Sequence, residues 1–184
     1  MKIAISGAQS VGKTTLIEAL TQDDRFKGFQ VRGEITRTLQ KQGLPINEEA
    51  TLDTQLLILN EHIRNLLLFP KESIILDRCL LDGIVYTKYF LSQEHLAFQE
   101  HARWLDVYIS SIADRYLPRY DYIFYIDPEF DIEDDGVRST SVVFRDTILS
   151  LFEQYIEVYK APIIKVTGSV QRRVEMIADI LYKV

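Results

Sequence analysis

Ile3-Ala4-Ile5-Ser6-Gly7-Ala8-Gln9-Ser10-Val11-Gly12-Lys13-Thr14-Thr15 decides how the rest of this chain is read. A short apolar run leads into a Gly-bounded loop and then into the opening of a helix. Gly7 through Thr14 fits G-x-x-x-x-G-K-[ST], the loop whose backbone N–H groups converge with a helix N-terminus on a polyphosphate. The bounding glycines allow the tight turn and the close approach of backbone to ligand. The stretch Gly7, Ala8, Gln9, Ser10, Val11, Gly12, Lys13, Thr14 and Thr15 is therefore the expected cradle for a nucleoside triphosphate. Lys13 would reach the β- and γ-phosphates and the Thr14 hydroxyl would ligate Mg²⁺.

The 184 residues suit one domain, 1–184, with room for a full core. A net charge of −6, with 26% charged and 47% hydrophobic residues, describes a soluble globular chain. That acidic balance argues against an extended nucleic-acid track, which needs a basic face. Cys79, the single cysteine, cannot form an internal disulfide and suits a reducing cytoplasm. No apolar run approaches a membrane span, and Met1-Lys2 leads straight into the first strand, so a cytoplasmic protein without a signal peptide is expected.

Strand-like apolar runs at Lys2–Ser6, Phe29–Arg32, Ser73–Asp77, Tyr122–Asp127 and Ile163–Thr167 alternate with helical patterns. Such alternation predicts an α/β fold, a five-stranded parallel sheet flanked by helices, with the phosphate loop on a central strand. Leu52, Leu56, Leu59, Ile63 and Leu66 step by three and four behind Asn47 as a helix cap, with Glu48 and Glu49 in the first turn. Phe98, Ala102, Leu105, Ile109, Ile112 and Tyr116 repeat the pattern in a second long helix, which Pro118 closes. Ser169 caps the last helix. His62, His95 and His101 show no ligand spacing and read as surface residues.

Three further constellations carry chemistry. Ser73-Ile74-Ile75-Leu76-Asp77-Arg78 is an apolar strand ending in a carboxylate, the arrangement that holds Mg²⁺ or its water shell beside a phosphate loop. Arg78 would face the same crevice, with Asp82 and Tyr86 following at four-residue intervals on the acceptor side. A strand-end salt bridge is the plainer alternative. Glu34 and Arg37, just after the second strand, share a helix face. Glu34 could take the proton of an attacking hydroxyl and Arg37 could hold a phosphate, unless the two are only a solvated ion pair. Finally, a polar loop from Asp127 to Thr140 reads as part of a lid over about 128–145. Arg138 and Arg145 on that lid could neutralise charge during transfer. Trp104 could stack on an acceptor base and Arg172 on the donor base, although such aromatics are more often peripheral core.

Taken together, Gly33-Glu34-Ile35-Thr36-Arg37, Asp135-Gly136-Val137-Arg138, Phe144-Arg145 and Val166-Thr167-Gly168-Ser169 with Gln171-Arg172-Arg173 give nearly the whole chain a resemblance. It resembles the NadR-type ribosylnicotinamide kinase family of P-loop kinases. That resemblance implies a substrate-side acid at Glu34, with Arg37 beside it. It also implies lid arginines at Arg138 and Arg145 and a nucleotide-base loop at Arg172. With the first strand starting at residue 2, the adenylyltransferase activity of the bifunctional members is expected to be absent. Asp77-Arg78-Cys79 departs from that family's Asp-Thr-Asp and looks more like thymidylate and other nucleotide kinases.

The expectation is thus an ATP- and Mg²⁺-dependent phosphotransferase acting on a small nucleoside or nucleotide, as a monomer or homodimer. The catalytic set would be Lys13, Glu34, Asp77, Arg138 and Arg145, with Thr14 and Asp77 as metal ligands. A nucleoside monophosphate kinase resembling thymidylate kinase is one alternative, supported by the arginines near the site. Two others are a kinase of polynucleotide hydroxyls and a non-kinase ATPase switch. The chain shows neither the Asp-x-x-Gly nor the Asn-Lys-x-Asp motif of a GTPase, and it lacks the length for the helical lid domain of an AAA-type motor.

Overall fold

Alternating burial demands set the architecture. The strand cores Ile3-Ala4-Ile5, Ile74-Ile75 and Ile123-Phe124 are fully inaccessible to solvent, so these strands must be covered on both faces, as in a parallel sheet. The computed structural model describes residues 1–33, 35–68, 72–93, 99–128 and 142–182. Within it, strands β1 (Lys2–Ser6), β2 (Phe29–Arg32), β3 (Ser73–Asp77), β4 (Tyr122–Ile126) and β5 (Ile163–Val166) form one sheet in the order β2-β3-β1-β4-β5. Every pairing is parallel, and Ile5 stands beside Asp77 on one side and Phe124 on the other.

The expected central position of β1 is what the sheet shows. β4 and β5 each end one residue earlier than the apolar runs suggest. Seven α-helices are described: α1 (Lys13–Gln22), α2 (Ile35–Lys41), α3 (Leu52–Leu68), α4 (Leu80–Gln93), α5 (Gln99–Tyr116), α6 (Val142–Tyr159) and α7 (Val170–Tyr182). They fall into two packing groups: α1 with α7, and α3, α5 and α6 around α4, with α2 against α3. From β1 the chain crosses to β2 and β3 on one side and later to β4 on the other. The crevice at the carboxyl ends of β1 and β3 is where ligands bind in such sheets.

Two helix starts differ in detail from the sequence reading. Asn47–Glu49 form a separate 3₁₀ turn, and α3 is capped by Thr51, whose Oγ1 accepts the Thr54 N–H at 3.3 Å. The first-turn acid is Asp53, not Glu48 or Glu49. The buried residues of α3 are Thr54, Gln55, Ile58, Leu59, His62 and Leu66, while Leu52, Leu56 and Ile63 are only partly buried. The buried stripe is rotated toward polar positions because α3 lines a cavity as well as packing on α4. Ser169 does cap α7, its Oγ accepting the Arg172 N–H at 3.3 Å. Among the described residues no helix is long and apolar enough to cross a membrane.

Candidate functional site

The loop between β1 and α1 turns at Gly7, where φ is 139° and a Cβ would lie 2.7 Å from the Ile126 carbonyl oxygen. No side chain fits there without moving β4. Lys13 is 7% exposed. Its Nζ donates to the Gly7 carbonyl at 2.9 Å and to the Ala8 carbonyl, so the ammonium is held over its own loop. Ser10 adopts φ 58°, and its buried Oγ has no hydrogen-bond partner among the described residues. An orphaned hydroxyl inside a concave loop fits a ligand that supplies acceptor oxygens, as a polyphosphate does.

Asp77 closes β3 beside this loop. Gly33 passes so near that a Cβ on it would stand 2.5 Å from the Asp77 Cβ, which fixes the spacing of β2 and β3 at the crevice. Arg78 follows with φ 69°, a left-handed conformation that costs about 1–2 kcal/mol for a side-chain-bearing residue. Its surroundings hold it there: its N–H donates to Ile5 O at 3.0 Å, and its Nη1 donates to Gly7 O and to Asp82 Oδ1, both at 3.3 Å. Burial works against the Arg78 charge, but neighbouring Tyr86, Asp82 and Asp77 outweigh it and raise its pKa.

Asp82 is the clasp of this region. Only 1% exposed, it takes the Ser6 hydroxyl at 2.7 Å and the Cys79 N–H at 2.9 Å on Oδ2. Its Oδ1 takes the Gly7 N–H at 3.4 Å. The bond to Cys79 is the backward half of a capping box at the start of α4. Both oxygens are engaged by protein groups, so Asp82 ties the loop, β3 and α4 together. Tyr86 adds a second tie, its hydroxyl donating to Gln9 Oε1 at 3.4 Å while Arg78 lies 5.7 Å over its ring.

These groups border a cavity of about 110 Å³ that extends well beyond the phosphate loop. Its near wall carries Gln9, Ser10, Gly12, Lys13, Thr14, Asp77 and Arg78. Its far wall comes from α2, α3, α4 and the connection between α2 and α3, and includes Ile35, Thr36, Arg37, Ile46, Gln55, Ile58, His62, Gly83 and Tyr86. Thr14 and Asp77 thus line one cavity. Arg37, Arg78, Asp82 and Tyr86 lie there too.

The sequence reading missed Gln55 and His62. Gln55 is 3% exposed, and its Oε1 has no partner among the described residues. His62, read as a surface residue, is corrected: it is 4% exposed. Burial lowers its pKa to about 4, with Asp82 opposing and Arg78 reinforcing the shift. Both sit on one face of α3, seven residues apart. The available signal was two polar residues inside an otherwise apolar helical stripe.

Other expected site residues fall elsewhere. Trp104 is 63% exposed and lies outside the cavity wall, its ring stacked on Tyr108 at 5.6 Å. Arg172 is exposed and packs over Gly168. Arg145 sits in the first turn of α6, 3.9 Å from Asp146. Glu34 and Arg138, with most of the expected lid and His95, lie outside the described residues.

The fold has close counterparts among solved structures. Deoxyadenosine kinase from M. mycoides with bound dATP superposes with a TM-score of 0.67 at 20% identity, covering 98% of this chain and 99% of that one. Thymidylate kinase from Ehrlichia chaffeensis gives 0.61 at 16% identity, covering 98% and 97%. These likenesses establish a P-loop kinase-like fold. No curated protein matches the chain significantly. The model of the AAA domain family matches residues 2–173, nearly the full length and including the phosphate loop, and the chain belongs to that family.

Proposed function

We propose that this chain is an ATP- and Mg²⁺-dependent kinase that moves the γ-phosphoryl group to a nucleoside or nucleoside monophosphate. The acceptor would sit against α2, α3 and α4. One observation carries the reading: the cavity extends from the phosphate loop to the buried carboxamide of Gln55, whose Oε1 has no hydrogen-bond partner among the described residues. A carboxamide offers one acceptor and two donors, which matches the hydrogen-bonding edge of a nucleobase. Ile35, Ile46 and Ile58 supply the apolar walls that a planar ring needs.

In this reading the phosphate loop and Lys13 hold the donor. Thr14 and Asp77 would hold Mg²⁺, whose chemistry there is to neutralise charge on the phosphates. Asp77, or Glu34 next to Ile35 in sequence, would accept the proton of a nucleoside hydroxyl. Arg37 and Arg78 would grip the phosphate of a monophosphate acceptor. Arg138 and Arg145 would complete the charge neutralisation. Catalysis would rest on positioning and electrostatics, since the protein has little covalent chemistry to do.

The kinase-like fold supports this reading, as does the resemblance to ribosylnicotinamide kinases. A hydrolytic switch, the other reading open to an AAA domain, would use the same cradle but leaves Gln55 and the isoleucine walls without a role. A phosphoryl-transfer screen with ATP and Mg²⁺ tests the proposal. Its acceptors are nucleosides, deoxynucleosides, their monophosphates and nicotinamide riboside. A phosphorylated product from at least one acceptor is expected, whereas hydrolysis at a rate that no acceptor alters would overturn it.

A further inference from the structure

Arg173 is the largest side chain among the described residues with no solvent exposure at all, and its place is unexpected for a surface helix. It is the fourth residue of α7, and its guanidinium runs inward to the phosphate loop. There Nη1 donates to the Val11 carbonyl at 3.3 Å. The same Nη1 stands 3.5 Å from where a Cβ on Gly12 would be. One side of Gly12 therefore faces α7, while Gly12 also lines the cavity.

Peptide geometry gives this contact a consequence. All peptide bonds among the described residues are trans, so the Val11 carbonyl and the Gly12 N–H point in opposite directions in one plane. Tying the carbonyl back to α7 turns the Gly12 N–H away from α7, toward the cavity. The donor is charged and dry, which strengthens its hydrogen bond and adds positive potential behind the loop. We infer that Arg173 is a positioning residue for the triphosphate: anchored in α7, it orients the Gly12 N–H toward bound phosphates and backs the loop with a fixed positive charge. The inference rests on reading the loop as a triphosphate cradle.

Calorimetric titration of adenosine, AMP, ADP and ATP into the full chain and into Arg173→Met and Arg173→Lys tests it. The Met variant should bind ADP and ATP at least about tenfold more weakly, the scale on which a hydrogen bond from a charged donor acts. Adenosine and AMP should change by less than about twofold. The Lys variant, keeping the charge but not the fork, should fall between. In turnover, KM for ATP should rise while kcat stays within about threefold, the pattern of lost ground-state binding.

An equal loss across all four ligands, or KM and kcat unchanged in a folded Met variant, would overturn the inference and leave Arg173 as packing alone. Should the Met variant not fold, the Lys variant carries the same comparison. A wild-type chain that gains no affinity from AMP to ATP would instead refute the cradle itself.

Discussion

Gln55→Met removes the carboxamide while keeping the length and helix propensity of the side chain. In the free protein Gln55 is 3% exposed, with an Oε1 that has no partner among the described residues, and such a buried group costs about 1–3 kcal/mol. An apolar replacement of the same shape recovers part of that cost. For a chain of 184 residues, each kcal/mol moves Tm by about 2–4 °C, so the variant should melt a few degrees higher. Its function should move the other way. Losing one or two hydrogen bonds to an acceptor base lowers kcat/KM for that acceptor by roughly 10- to 100-fold, with ATP hydrolysis in its absence unchanged. Scanning calorimetry of the free proteins and steady-state transfer kinetics read the two effects. A variant that melts lower and phosphorylates its acceptor normally would refute the assignment of Gln55, because the carboxamide would then be satisfied within the protein and idle in recognition.

Asp82→Ala leaves the Arg78 guanidinium, the Ser6 hydroxyl and the Cys79 N–H without their shared acceptor. Breaking such a buried cluster should cost about 3–5 kcal/mol by urea unfolding; a loss below about 1 kcal/mol would remove Asp82 as the clasp. His62→Met should flatten the acid limb of the stability curve. The native pKa is held near 4 against 6.5 for an unperturbed imidazole. Above pH 6.5 both states are neutral and His62 adds no pH dependence. As pH falls below 6.5 the unfolded chain takes up the proton and the native chain does not, so stability is lost across the window from 6.5 to 4. Between pH 7 and pH 5 the wild type should lose about 2 kcal/mol more than the variant. Parallel curves would mean that His62 is protonated in the native state.

Much of the sheet was legible because fully buried parallel strands read as unbroken apolar runs, and the phosphate loop ties backbone geometry to a short pattern. Lys13, Thr14, Asp77 and Arg78 were legible for the same reason, each lying on the loop or at a strand end that faces the crevice. The far wall was not. Gln55 and His62 belong to a helix whose apolar periodicity describes its packing on α4, and periodicity alone does not report that the same helix also lines a cavity. Gly83 shows the tertiary origin of that difference: a Cβ there would come within 3.1 Å of His62 and Leu59, so its bare backbone lets α3 approach α4 closely. Arg172, the expected base-side residue, and Arg173 are adjacent in sequence. Only the rotation of α7 sends one to solvent and the other to the back of the loop.

If the γ-phosphoryl leaves ATP for an acceptor held at Gln55, the stoichiometry of one reaction must show it. The productive acceptor is incubated with ATP and Mg²⁺, and ADP, inorganic phosphate and phosphorylated acceptor are quantified together by mass spectrometry. One phosphorylated acceptor per ADP with little free phosphate is expected, and neither product from Lys13→Ala. ADP matched by inorganic phosphate alone, whatever acceptor is present, would contradict it.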